Sequence, residues 1–76
     1  MKELVRVLAQ QLVNNADAVE VTETRGEAAT LLELRVAKED LGRVIGKQGR
    51  TAQSIRIILN AVAARNNRKV NLEIVE

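Results

Sequence analysis

Leu41-Gly42-Arg43-Val44-Ile45-Gly46-Lys47-Gln48-Gly49-Arg50 is the stretch on which the fold turns. Lys38-Glu39-Asp40 precedes it, acidic at its end as the first turn of a helix prefers. Leu41, Val44 and Ile45 then share one face of a short helix, which Gly46 stops. Gly46-Lys47-Gln48-Gly49 reads as a tight loop with a glycine at each end. Such glycines let the main chain turn sharply and approach a ligand with no Cβ in the way. The loop feeds a longer helix from about residue 50 to 64, with Ile55, Ile58, Leu59 and Val62 as its apolar face. Ala52, Ala61 and Ala63 allow that helix to pack closely, and Asn66-Asn67 ends it. Unpaired N–H groups and the positive dipole end at a helix N-terminus favour phosphate. Lys47 and Arg50 add mobile positive charge there. Gly46, Lys47, Gln48 and Gly49 are therefore a candidate phosphate clamp.

Residues 2–14 place Leu4, Leu8 and Leu12 on one helical face, with Val5, Val7 and Val13 beside them, and Asn14-Asn15 as a stop. Residues 18–24 alternate, Val19 and Val21 one way and Glu20 and Thr22 the other. Residues 30–36 alternate more cleanly, with Leu32, Leu34 and Val36 inward and Glu33 and Arg35 outward. Leu31 breaks that pattern. Gly26 between the two runs predicts a β-hairpin. Val70, Leu72 and Ile74 alternate with Asn71 and Glu73 as a terminal strand. The order α-β-β-α-α-β predicts an α+β domain spanning residues 1–76, with the helices on one face of a three-stranded sheet.

The 76 residues leave room for one small core. There is no cysteine or histidine, and Ser54 is the only serine. Cysteine and serine–histidine nucleophiles and structural zinc sites are excluded on those counts, and no cofactor or metal is expected. There is no Phe, Tyr or Trp, so base-stacking platforms are excluded too. The net charge of +2 conceals an asymmetry. Residues 1–40 hold five bases and eight acids, net −3, whereas residues 41–76 hold seven bases and two acids, net +5. No acid stands between Leu41 and Leu72, which points to an anionic partner for the second half. No apolar run approaches the roughly 20 residues of a membrane helix. Charges at Lys2, Glu3 and Arg6 argue against a signal peptide. A soluble, cytoplasmic protein is expected.

The Ile-Gly-x-x-Gly signature at residues 45–49, with Leu41 to Ile45 before it and Arg50 after it, resembles that of the KH domain. The element order resembles the bacterial type II arrangement. The likeness covers essentially the whole chain and is nearest to the small stand-alone bacterial KH proteins of the KhpA type. The resemblance implies a mixed sheet, its last strand parallel to the strand before the paired helices. It implies binding of about four single-stranded RNA nucleotides. Gly46, Lys47, Gln48 and Gly49 would hold the backbone, flanked by Arg43 and Arg50. Val44 and Ile45, with Ala52 and Ile55 opposite, would line an aliphatic groove for the bases. It implies a homodimer, or a heterodimer with a larger KH protein of the KhpB (Jag or EloR) type. It also implies a post-transcriptional regulator or RNA chaperone linked to cell elongation and division.

Three other classes compete. A nucleotide-hydrolysing P-loop needs a glycine five residues before Gly46 and Ser or Thr at position 48, where Leu41 and Gln48 stand. Glu39 and Asp40 are adjacent and diverge by about 100° on a helix, so they make no evident metal pair. An enzyme is not expected. Helix-hairpin-helix and helix-turn-helix modules share a glycine turn but lack flanking strands. A KH fold serving only protein interaction is the strongest rival, and a loop free of acids argues against it.

Overall fold

The computed structural model describes residues 1–75. Helix α1 (Lys2–Leu12) leads through a short 3-10 turn to strands β1 (Glu20–Arg25) and β2 (Ala29–Arg35). Helix α2 (Leu41–Ile45), helix α3 (Arg50–Ala64) and strand β3 (Lys69–Val75) follow. β2 is central, antiparallel to β1 and parallel to β3, so the sheet is mixed. The three helices cover one face of it, which is the α+β arrangement of the KH fold.

The strand alternation holds in the structure. Val19, Val21, Leu32, Leu34 and Val36 all turn to the helices and are buried. Val70 and Leu72 do the same from β3. Leu31 sits half-buried on the opposite face, in register with Thr24 and Asn71. Leu32, Leu34 and Leu59 form the centre of the core, each fully buried. A leucine so placed contributes about 1.5–3 kcal/mol.

The helix faces depart from the expected ones by one position. In α1 the core row is Val5 and Ala9, with Leu4 and Leu8 at its flank and Leu12 37% exposed. In α3 it is Ala52, Ile55, Leu59 and Ala63, leaving Ile58 and Val62 outside. The physical reason is close packing. Alanines at 9, 52 and 63 let the helices sit tightly on the sheet, so small residues took places that size alone assigns to Leu12, Ile58 and Val62.

The segment before α2 is a 3-10 turn (Lys38–Asp40) rather than the first turn of the helix. Its Asp40 is buried, and its carboxylate accepts from the N–H of Asn14 (3.1 Å) and Asn15 (3.0 Å). Those bonds fasten the α1–β1 connection to the start of α2 and lower the pKa of the acid. The Asn15 N–H contributes most to that lowering, against the opposing effect of burial, followed by Asn14 and Arg43.

At the other end of α3, Asn67 adopts a left-handed conformation (φ 55°). The N–H groups of Asn67 and Arg68 return to the carbonyls of Ala64 (3.1 Å) and Ala63 (3.0 Å). This is a Schellman ending. It aims Arg68 at the hairpin turn, where its guanidinium donates to the Gly26 carbonyl (2.9 Å) and to Thr30 Oγ1 (3.2 Å). Arg56 donates to the Leu72 carbonyl (3.2 Å). Neither arginine is the solvated surface residue that charge alone suggests.

Candidate nucleic-acid interface

Three of the four loop residues hold a positive φ. Gly46 has φ 77° and ψ 171°, Gln48 has φ 57°, and Gly49 has φ 74°. The N–H of Gly49 closes the turn on the Gly46 carbonyl (3.1 Å). A Cβ at Gly46 would collide with the Thr51 side chain and lie 2.8 Å from its backbone nitrogen. At Gly49 nothing lies within 4 Å of such a Cβ. Gly46 is thus required by space and conformation, Gly49 by conformation alone. Gln48 holds a left-handed conformation without glycine's freedom, a strain of the kind found at ligand clamps.

Gly49 also occupies the N-cap of α3, and no side chain caps that end. The Arg50 N–H closes on the Lys47 carbonyl, and the N–H groups that follow it in the first turn of this 15-residue helix have no side-chain cap and are open to an outside acceptor. Lys47, Gln48 and Arg50 are exposed around them. Lys47 and Arg50 make no ion pair or side-chain hydrogen bond among the described residues. Arg43 differs: its Nε lies 3.3 Å from the buried Asp40 carboxylate. It flanks the loop with part of its charge already answered. Asp40 was not a sequence candidate. The Asp40–Arg43 spacing of three residues was the available signal.

The four groove candidates divide. Val44, Ala52 and Ile55 are buried and pack in the core, because α2 and α3 turn these positions to the sheet. Their side chains offer no open surface to a base. Ile45 is 37% exposed and reaches the surface beside the loop. A cavity of about 270 Å³ lies at the far end of α3, between Glu23, Thr30, Val62 and Arg68. Arg68 there is spent on backbone carbonyls and Thr30. No described helix is long and apolar enough to cross a membrane. Among the described residues no group of three or more acids is placed to hold a metal ion.

A family model described as "KhpA/KhpB, KH domain" matches residues 2–74. The chain is 51% identical over 75 residues to a protein named RNA-binding protein KhpA from Caldanaerobacter subterraneus subsp. tengcongensis, covering 99% of this chain and all of that one. It is 49% identical to the protein of that name from Clostridium perfringens, with the same coverage. It is 47% identical to that from Aquifex aeolicus, over the whole of this chain and 96% of the other. No solved structure matches.

Proposed function

The chain belongs to the KhpA/KhpB family of KH domains, and we propose that it binds single-stranded RNA by clamping the phosphate backbone at loop 46–49. One observation carries this reading: a strained glycine loop opens on an uncapped helix N-terminus, with Lys47 and Arg50 unpaired beside it. The backbone N–H groups supply directed donors, and the two cations supply attraction without geometry. Ile45 supplies an aliphatic contact for a base. The relatives' name, RNA-binding protein, supports the same ligand.

Affinity from two or three charged contacts is modest and falls with salt. Modules of this kind gain by working in pairs. The reading therefore includes a homodimer through α3, or a heterodimer with a larger KH protein of the KhpB type. The sheet also has open edges at β1 and β3 through which two sheets could join. The Lys69 N–H bonds toward the β2 side, at Ala28 (3.2 Å), so Val70 and Leu72 face the open edge of β3. There the Leu72 carbonyl accepts from Arg56 (3.2 Å), and the Val70 N–H donates to Asn60 Oδ1 (3.4 Å). Side chains of α3 thus take two of the backbone groups along that edge, which disfavours a second strand there. The reading takes the exposed stripe of α3 as the pairing surface. In the cell the reading is a cytoplasmic post-transcriptional regulator or RNA chaperone, acting in cell elongation and division.

Fluorescence anisotropy with short single-stranded RNA tests the binding. The parent protein binds, more weakly as salt rises, and Lys47→Asp with Gln48→Asp abolishes binding while the circular dichroism spectrum is unchanged. A parent protein without salt-sensitive binding would instead mark a KH fold that serves protein interaction alone.

A further inference from the structure

The face of α3 that turns away from the sheet carries Ser54, Ile57, Ile58, Ala61, Val62 and Arg65. At about 100° per residue these six occupy one arc, opposite the buried row of Ala52, Ile55, Leu59 and Ala63. Ile57, Ile58 and Val62 are 61%, 44% and 39% exposed, a continuous aliphatic surface with no acid on it. The steps along the arc are three, one, three, one and three residues, a spacing that reads the same in both directions.

A second copy laid antiparallel therefore sets Ile57 against Val62, Ile58 against Ala61 and Ser54 against Arg65. The larger Ile58 meets the smaller Ala61 at the centre, as interdigitated packing prefers. Two-fold symmetry is satisfied, and each helix's positive end lies beside the other's negative end. A parallel pairing would instead crowd Lys47 and Arg50 of both copies at one end, with no acid between them.

Arg65 is exposed, and its guanidinium has no ion pair or hydrogen bond among the described residues. Arg43, Arg56 and Arg68 are all engaged. Within its own chain Arg65 stands at the far end of α3, about 22 Å along the helix from Arg50, and cannot serve its own loop. In the antiparallel pair it lies across from Ser54, one helical turn from the other copy's Arg50, within reach of a phosphate held there.

We propose that Arg65 of each copy completes the phosphate site of the other, so that each RNA clamp is built from two chains. This rests on the RNA-binding and pairing readings above. The bound phosphate neutralises the cations that the pairing brings together, so RNA and dimer stabilise each other.

Heterodimers purified through two different affinity tags test it. In one, Lys47→Asp with Gln48→Asp is on one chain and Arg65→Glu on the other. In the second, all three substitutions are on one chain and the partner is unaltered. The probe is a fluorescein-labelled random-sequence RNA of about eight nucleotides, short enough to occupy one clamp. The parent and the Arg65→Glu homodimer are measured beside them, and Arg65→Glu binds about tenfold more weakly than the parent. With shared clamps, the first heterodimer keeps one intact site and binds with parental affinity, and the second keeps none. The reverse result places Arg65 in its own chain's site and overturns the proposal. Equal binding by both, binding by neither, or no recoverable heterodimer also overturns it. A parent that binds no RNA refutes the RNA-binding reading itself, and is distinguishable because no variant is needed to see it.

Discussion

Alanine at Gly46 must accept a φ of 77° and also displace Thr51, whereas alanine at Gly49 must accept only a φ of 74°. The conformational cost is about 1–2 kcal/mol at Gly49, and no less at Gly46, whose ψ of 171° lies in a region essentially reserved for glycine. Only Gly46→Ala adds the steric cost, so it destabilises the protein more than Gly49→Ala does in urea unfolding. Equal losses would mean that Thr51 yields freely. Asp40 gives a residue-scale pH effect. Its pKa is lowered in the folded state, so its contribution is fully present above the unfolded value of about 3.9. It is lost as the pH falls through the lower folded value. Urea midpoints of the parent and Asp40→Asn measured downward from pH 7 converge in that acid range. A constant difference between them would contradict the assigned role of the carboxylate. The glycine spacing was legible in the chain. The role of Asp40 was not, because its partners are the backbone N–H groups of Asn14 and Asn15, which sequence periodicity does not bring near it.

Among the elements, α3 carries both core residues and the proposed pairing surface, and neighbouring residues on it have opposite placements. Leu59 is fully buried, whereas Ile58 is 44% exposed. Leu59→Ala therefore costs about 2–5 kcal/mol in unfolding. Ile58→Lys leaves the fold intact and shifts sedimentation from dimer to monomer. A dimer that survives Ile58→Lys would remove α3 from the interface. The limits of α3 at residues 50 and 64 could be read directly from Gly49 and from Asn66-Asn67. Its inward face could not, because hydrophobic size ranks Ile58 and Val62 above Ala52 and Ala63. The sheet geometry reverses that ranking by admitting the small side chains. The strands read more faithfully, since a period of two leaves only two faces to choose between.

At the scale of the whole molecule, the absence of aromatics and the net charge of +2 describe how such a small domain could hold RNA. Stacking is unavailable, so the contacts in the proposed reading are backbone N–H groups, a few unpaired cations and Ile45. The basic half is less uniform than its charge implies. Arg43, Arg56 and Arg68 secure the fold, and Lys47, Arg50 and Arg65 remain free of partners among the described residues. Counting charges predicts an anionic partner but cannot sort these two groups, because the sorting depends on which carbonyls and carboxylates the fold brings near each guanidinium. Amide chemical-shift mapping by NMR during titration with short single-stranded RNA tests the central claim most directly. The account predicts that the largest changes fall on the amides of residues 46–51, with smaller ones at Ile45, and that they diminish with added salt. Changes centred on the outer face of the sheet, with the amides of 46–51 unmoved, would contradict it.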